Sequence, residues 1–394
     1  MILVGLVGSC LPEQEVVTGI DQRAAANAPL FTVDDHQILK EGKPFPVRGV
    51  GYVPAYPGDL PWVLEGMTKL PEYLPHRIDT DVANIADMGA NTVRLWGAPR
   101  YCYKALYNNG KLNFIQTIWI QGDVPDFQDV AFKQQTKSYI KHVIDRIYNV
   151  FESKLPLVAY LVGNELSEAS IRNTNANHPG INQYTGTYIQ TGVGISATEA
   201  FIAEMADFVM EYEYDNYGTL SLVSYGNDIR TVDWVDTPFL DFISHNAYSY
   251  AVPYYQPNTS PGSSTGTLYQ GWVEEVKLRH PNIPLLITET GLSVSPNAPH
   301  IGPPHYGYGG NTEAEQAEGL AQNLKDIDLA LLPQAGACIH EYLDAWWKFD
   351  QQGSYTQDPN DIEEWFGITR FVPADQGYAT EPRPLYNRLQ ETWQ

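Results

Sequence analysis

The sequence predicts an α/β fold: a single (β/α)8 TIM barrel with long loops after its strands. Three observations predict it. Apolar runs of strand length alternate with stretches of helical periodicity, a rhythm that implies a parallel sheet with right-handed crossovers. Eight such runs lie between Phe45 and Tyr342, which suits a closed barrel better than an open sheet. The long loops all follow strands, so they gather at the carboxyl-terminal rim. The 394 residues suffice for one large barrel with insertions, and no linker divides residues 31–394.

Taken in order, residues 1–30 read as a signal or tether segment outside the barrel. They open on the apolar run MILVGLVG. Val7-Gly8-Ser9-Cys10 resembles the lipobox of bacterial lipoproteins, so Cys10 is a candidate lipid anchor. Gly42-Lys43 is a turn between two extended runs, and Phe45 to Tyr52 supplies strand one. His76 to Met88 puts Ile78, Val82, Ile85 and Met88 on one side of a helix. Gly89 ends that helix as a C-cap. Asn91 to Trp96 is strand two, and Leu112 to Gln121 holds strand three. Asp129 to Phe151 is an amphipathic helix with Tyr139, Ile140, Val143, Ile144, Ile147 and Val150 on its stripe.

Pro156 precedes strand four, Leu157 to Gly163, whose unbroken apolar run suits a strand buried on both faces. Residues 170–195 have the Asn, Thr and Gly content of a long loop. Ala197 to Tyr214 is helical, Leu220 to Tyr225 is strand five, and Phe239 to Tyr250 is strand six. Residues 254–266 form a Pro/Ser/Gly loop, followed by a helix from Leu268 to Arg279. Pro284 to Thr288 is strand seven, and residues 296–311 are another Gly/Pro loop. A helix from Glu313 to Leu332 leads to strand eight, Ala335 to Tyr342.

Composition narrows the partners. Lys+Arg is 24 against Asp+Glu 47, a net charge of -23 that repels phosphate backbones and argues against nucleic acid. A neutral polymer meets no such penalty, and Tyr 26 with Trp 9 supplies rings suited to apolar sugar faces or to a core. Three cysteines, Cys10, Cys102 and Cys338, give neither a disulfide framework nor a thiolate zinc site. No segment approaches the roughly 20 apolar residues of a membrane span.

Two strands end on a carboxylate. LVAYLVGNELSE places Asn164-Glu165 directly after strand four, and IPLLITETGL places Glu289 at the end of strand seven. Such a pair supplies an acid/base and a nucleophile for glycoside cleavage. The order NTVRLW, GNE, HNAY, ITETG, with an aromatic-rich strand eight, resembles clan A retaining glycoside hydrolases of the β-mannanase/β-glucanase or β-galactosidase/β-glucuronidase type. The resemblance spans residues 31–389 and makes residues 31–394 the catalytic domain.

What the resemblance implies is specific. Glu165 matches the general acid/base and Glu289 the nucleophile. Arg94 matches the arginine near the nucleophile, Tyr248 the tyrosine that hydrogen-bonds it, and Asn164 the asparagine on the sugar 2-hydroxyl. Tyr250 and His245 compete with Tyr248, and His245 is retained as a substrate contact. The family's strand-eight tryptophan has no unique match in CIHEYLDAWWK. His340, Tyr342, Trp346 and Trp347 compete, with Trp346 favoured. Glu341 and Asp344 add carboxylates near the mouth, and Glu168 reads as a helix cap or rim residue. Carboxyls on strands four and seven can sit about 5 Å apart, which implies retention through a covalent glycosyl-enzyme. The expected substrate is a neutral β-linked poly- or oligosaccharide, gluco- or manno-configured, and the expected location extracytoplasmic.

Other chemistries lack their motifs. There is no HxH or HExxH for a metal, no GxSxG for a serine nucleophile, and Gly49-Val50-Gly51 lacks the third glycine of a dinucleotide loop. No metal and no cofactor is expected. A β-glucan transglycosylase shares every residue named. A non-catalytic carbohydrate-binding barrel has no use for two converging carboxylates.

Overall fold

The computed structural model describes residues 29–151, 155–251, 267–303, 306–348, 355–375 and 377–394. Most of the expected tether, with Cys10, and the loop at 254–266 lie outside the described residues. At the centre is a closed barrel of eight parallel strands. We number them β1 Val47–Gly51, β2 Thr92–Trp96, β3 Asn113–Ile118, β4 Leu157–Asn164, β5 Leu222–Asp228, β6 Ile243–Asn246, β7 Leu285–Thr290 and β8 Gly336–Ile339. Each pairs with the next, and β8 closes on β1 through Cys338 opposite Gly49. Every residue of β3, β5, β7 and β8 is buried. Both faces of these strands are covered, which is why their sequences lack the alternation of a half-exposed strand.

The barrel interior is filled by Ile115, Val158, Leu161, Phe242, Leu286 and Cys338. Phe31 and Ile38 join that layer from a three-stranded antiparallel sheet over Phe31–Val33, Ile38–Lys40 and Lys43–Pro44. They sit with Val47 and Leu222, the first residues of β1 and β5, so this sheet plugs the amino-terminal end. The opposite end is left open for a site.

Besides a short helix at Pro61–Gly66, the described helices outside the barrel are α1 Tyr73–Asp87, α2 Cys102–Asn109, α3 Val130–Tyr148, α4 Glu168–Asn177, α5 Ala197–Tyr217, α6 Leu268–Arg279, α7 Glu313–Ala330 and α8 Pro384–Trp393. On α1 the stripe Ile78, Val82 and Ile85 is buried, each side chain contributing roughly 1.5–3 kcal/mol. Gly89 follows α1 with φ 99, as a left-handed cap requires. Capping boxes start α5 (Ser196 with Glu199) and α7 (Thr312 with Glu315).

The structure differs from the sequence reading at several elements. Part of the loop expected over 170–195 is α4. Its Asn and Thr residues favour loops, but Ser167 caps it, and the Ser170 and Thr174 hydroxyls accept from the Val124 and Phe127 amides. Tertiary contact overrides propensity there. Strand six is only Ile243–Asn246, so Tyr248 lies on the loop beyond it. The carboxyl-terminal segment adds an antiparallel hairpin, Thr369–Ala374 with Gly377–Pro382, and then α8.

Candidate active site

Glu165 is aimed by an unusual backbone. Gly163 and Glu165 both have positive φ, 85 and 48. For a glutamate this costs on the order of 1 kcal/mol. The Glu165 amide donates to Gly226 O at 2.8 Å, and Ser167 N donates to Gly122 O at 3.1 Å, which holds the turn. Gly226 is needed beside it, since a Cβ there would lie 2.5 Å from Asn164 Oδ1. The turn points the carboxyl into the barrel mouth. Asn246 Nδ2 donates to Glu165 Oε1 at 2.8 Å and Arg230 Nη2 to Oε2 at 2.7 Å. Burial, then repulsion from Glu289 and Asp228, holds the Glu165 pKa well above the usual carboxylate range, against the pull of Arg230 and Asn246.

Glu289, next to last on β7, is held differently. Arg94 Nη1 donates to its Oε1 at 2.7 Å, and the Tyr248 hydroxyl donates to Oε2. Arg94 is fully buried on β2, with Nε on the Thr117 hydroxyl at 3.0 Å and Nη2 on Asn164 Oδ1 at 2.8 Å. Asn246 Nδ2 also donates to Asn164 Oδ1 at 3.1 Å, and the Thr288 hydroxyl to Asn246 Oδ1 at 2.8 Å. One continuous network, Glu289–Arg94–Asn164–Asn246–Glu165, therefore spans the mouth.

Glu165, Glu289, Asn164 and Tyr248 border one cavity of about 2070 Å3, with Arg94 in the wall behind them. Trp96, Trp119, Tyr250, Tyr308, His340, Glu341, Trp347 and Lys348 line it too. The structure does not bring His245 or Trp346 to this cavity. His245 precedes Asn246 on β6, so its side chain points outward, against Trp272 of α6 at 5.5 Å. Trp346 packs on Phe371 and Tyr378 of the carboxyl-terminal hairpin, at 5.5 and 5.1 Å, and its neighbour Trp347 lines the cavity instead. Asp344 is also withdrawn from the mouth: it forms a buried bidentate pair with Arg383, both bonds 2.7 Å. Glu168 stands in the first turn of α4 beside Arg172, as a cap-region residue.

Sequence reasoning missed Asn246, Arg230 and Asp228. The dipeptide His245-Asn246 carried a usable signal, because neighbours on a strand face opposite ways and only one could point inward. Arg230 and Asp228 carried none: Asp228 ends β5, three residues beyond the apolar run that marks the strand in the sequence, and Arg230 lies on the loop after it, which has no periodicity. Among the described residues no group of His, Cys, Asp and Glu has the geometry to hold a metal ion, and no helix is long and apolar enough to cross a membrane.

The arrangement separates two carboxyls by role. One faces the cavity where burial and like charge favour its protonated form; the other faces it under a guanidinium and a phenol. That is the division that proton donation and nucleophilic attack at one bond demand.

No family model and no curated protein matches the chain. Solved structures do. The β-glucuronidase of Ruminococcus gnavus matches with a TM-score of 0.59 at 12% identity, over 94% of this chain and 54% of that one. The β-glucuronidase of Bacteroides uniformis matches with a TM-score of 0.61 at 14% identity, over 92% and 37%. That of Bifidobacterium dentium, complexed with coumarin-3-O-glucuronide, gives 0.59 at 14%, over 92% and 48%. The chain thus spans about half the length, or less, of the solved structures it matches, and what it shares with them is the barrel fold.

Proposed function

We propose that the chain is a retaining β-glycoside hydrolase. The observation that carries the reading is the network joining Glu289 to Glu165 across one cavity, with Arg94 and Tyr248 on the first and a raised pKa on the second. In this reading a Glu289 oxygen attacks the anomeric carbon while the Glu165 proton passes to the leaving glycosidic oxygen. The bond to the aglycone breaks and a glycosyl ester forms. Glu165, now a carboxylate, takes a proton from water, and the resulting hydroxide displaces Glu289. Two inversions give net retention.

The substrate in this reading is neutral, unlike the glucuronides for which the matched structures are named. Three cations stand at the site's carboxyl groups and each is paired there, while Arg100 and Arg146, which also line the cavity, donate to backbone carbonyls. Arg94 is on Glu289, Arg230 is on Asp228 and Glu165, and Lys348 is on Glu341 at 3.1 Å and Glu363 at 3.0 Å. With these three cations already engaged by the protein's own carboxyl groups, a uronate group is disfavoured beside the glutamate pair. The cavity also exceeds the roughly 300–1,000 Å3 of a single small-ligand site, which favours an oligosaccharide or a polysaccharide segment. The gluco- or manno-configuration rests on the sequence resemblance.

The test is a panel of aryl β-glucoside, β-mannoside, β-galactoside and β-glucuronide, with the first-formed anomer read by proton NMR. Turnover of a neutral glycoside to the β-anomer supports the proposal. An α-anomer first product refutes retention, and glucuronide preference refutes the neutral substrate.

A further inference from the structure

Lys348 lies beyond β8, on the cavity wall with His340, Glu341 and Glu363. Its ammonium is 3.0 Å from His340 Nε2, 3.1 Å from Glu341 Oε1 and 3.0 Å from Glu363 Oε2. An ammonium donates and has no lone pair to accept with, so Nε2 of the histidine, at hydrogen-bond distance from it, is an acceptor, as is Glu363 Oε2, while Glu341 Oε1 is held by charge. A neutral imidazole that accepts at Nε2 carries its proton on Nδ1. The ring is neutral, because burial, Lys348 and Arg94 hold its pKa well below the ordinary value. Packing fixes its plane: Phe366 lies at 5.2 Å, Trp96 at 5.9 Å and Tyr248 at 6.3 Å, all edge to face.

Among the described residues the Nδ1–H fixed in this way has no hydrogen-bond partner, although His340 is only 8% exposed. It stands 3.9 Å from Glu289 Oε2, beyond hydrogen-bond reach. Leaving a buried donor unpaired is costly. A donor beside the nucleophile that the protein leaves unsatisfied is placed for what binds there.

We propose that His340 determines specificity: its Nδ1–H donates to a hydroxyl oxygen of the sugar at the cleavage position, and Lys348 holds the imidazole in the tautomer that can do so. The proposal rests on reading Glu289 as the nucleophile. In a closed ring of eight strands, β8 is four places from β4 and stands opposite it. Asn164 at the end of β4 and His340 just past β8 therefore grip the sugar from opposite sides. The recognised hydroxyl lies on the edge away from Asn164, and sugars lacking it are poor substrates.

The experiment uses the full chain, an aryl β-glycoside that it cleaves, and the singly deoxygenated analogues of that glycoside. His340→Ala is expected to lower kcat/KM on the parent roughly tenfold or more. On the one analogue lacking the partner hydroxyl, the variant and the wild type are expected to be equal. Nitrogen-15 NMR of the unliganded wild type is expected to show a neutral His340 protonated at Nδ1, and Lys348→Met to show a mixture of tautomers. An Nε2–H tautomer in the wild type overturns the proposal, as does an equal loss on every analogue. A wild type that cleaves no β-glycoside overturns the hydrolase reading, and this contact with it. A wild type that cleaves but shows either of the first two results overturns the contact alone.

Discussion

At the scale of single residues, the site depends on two glutamates with opposite surroundings. Glu289→Ala is expected to abolish turnover with the fold intact, and azide in the cavity left behind is expected to restore some activity, yielding the inverted glycosyl azide. Near-normal rates in that variant would remove Glu289 from the nucleophile role. Glu165 carries a pH prediction with a definite sign. It acts as an acid, so activity is lost as pH rises through its folded pKa, and that pKa is raised. The alkaline limb of kcat/KM therefore lies above the ordinary glutamate range. Arg230 lowers that pKa and is exposed, so Arg230→Met is expected to move the limb modestly further upward. A limb unmoved or moved downward in this variant contradicts the assignment. Stability follows the same sign. A carboxyl with a raised folded pKa loses its contribution as pH climbs from the unfolded value through the folded one. Glu165→Gln does not titrate, so its thermal midpoint is expected to gain on the wild type across that window.

At the scale of elements, β4, β6 and β7 show what the sequence revealed and what it concealed. Glu165 and Glu289 were legible because each follows an unbroken apolar run, and such a run ends where a barrel strand meets its rim. The sequence marks strand six over Phe239 to Tyr250, but the strand pairs only over Ile243–Asn246. With the ends misplaced, the inward residue could not be separated from its neighbour. Trp346 failed for another reason: the contact that removes it from the cavity is with Phe371 and Tyr378, remote in sequence. Neither residue's own neighbourhood encodes that partner. The β6 dipeptide gives a clean contrast. Asn246→Ala is expected to cost on the order of 10² in kcat with little change in thermal midpoint, because it breaks the link between the glutamates. His245→Ala is expected to cost about 1–3 kcal/mol of stability and leave kcat nearly unchanged, since it packs on Trp272 outside the barrel. Kinetics and thermal melts of the two variants side by side decide it; the reverse pattern would mean the strand faces the other way.

At the scale of the whole molecule, the question is what holds the open end of the barrel in shape around a large cavity. The plug of Phe31 and Ile38 secures the amino-terminal end. At the other end the loop after β8 is tied to the carboxyl-terminal segment. Arg383 gives both Nη groups to Asp344, and Nη1 also reaches the carbonyls of Gly367 and Thr369, at 2.7 and 3.3 Å. Both side chains are almost fully buried, so solvent screens the pair little. Breaking one half strands a charge in the interior. Asp344→Asn is expected to cost about 3–5 kcal/mol, a fall on the order of 10 °C in thermal midpoint. Replacing both residues with apolar ones of similar volume leaves no stranded charge, so the double variant is expected to lose less than the two single losses added together. Strict additivity would mean that the pair does not act as a unit. The same loop carries Trp347 and Lys348 into the cavity. Loosening its anchor is therefore expected to raise KM for an oligosaccharide more than for an aryl monosaccharide, because the longer substrate relies on walls that the shorter one does not reach.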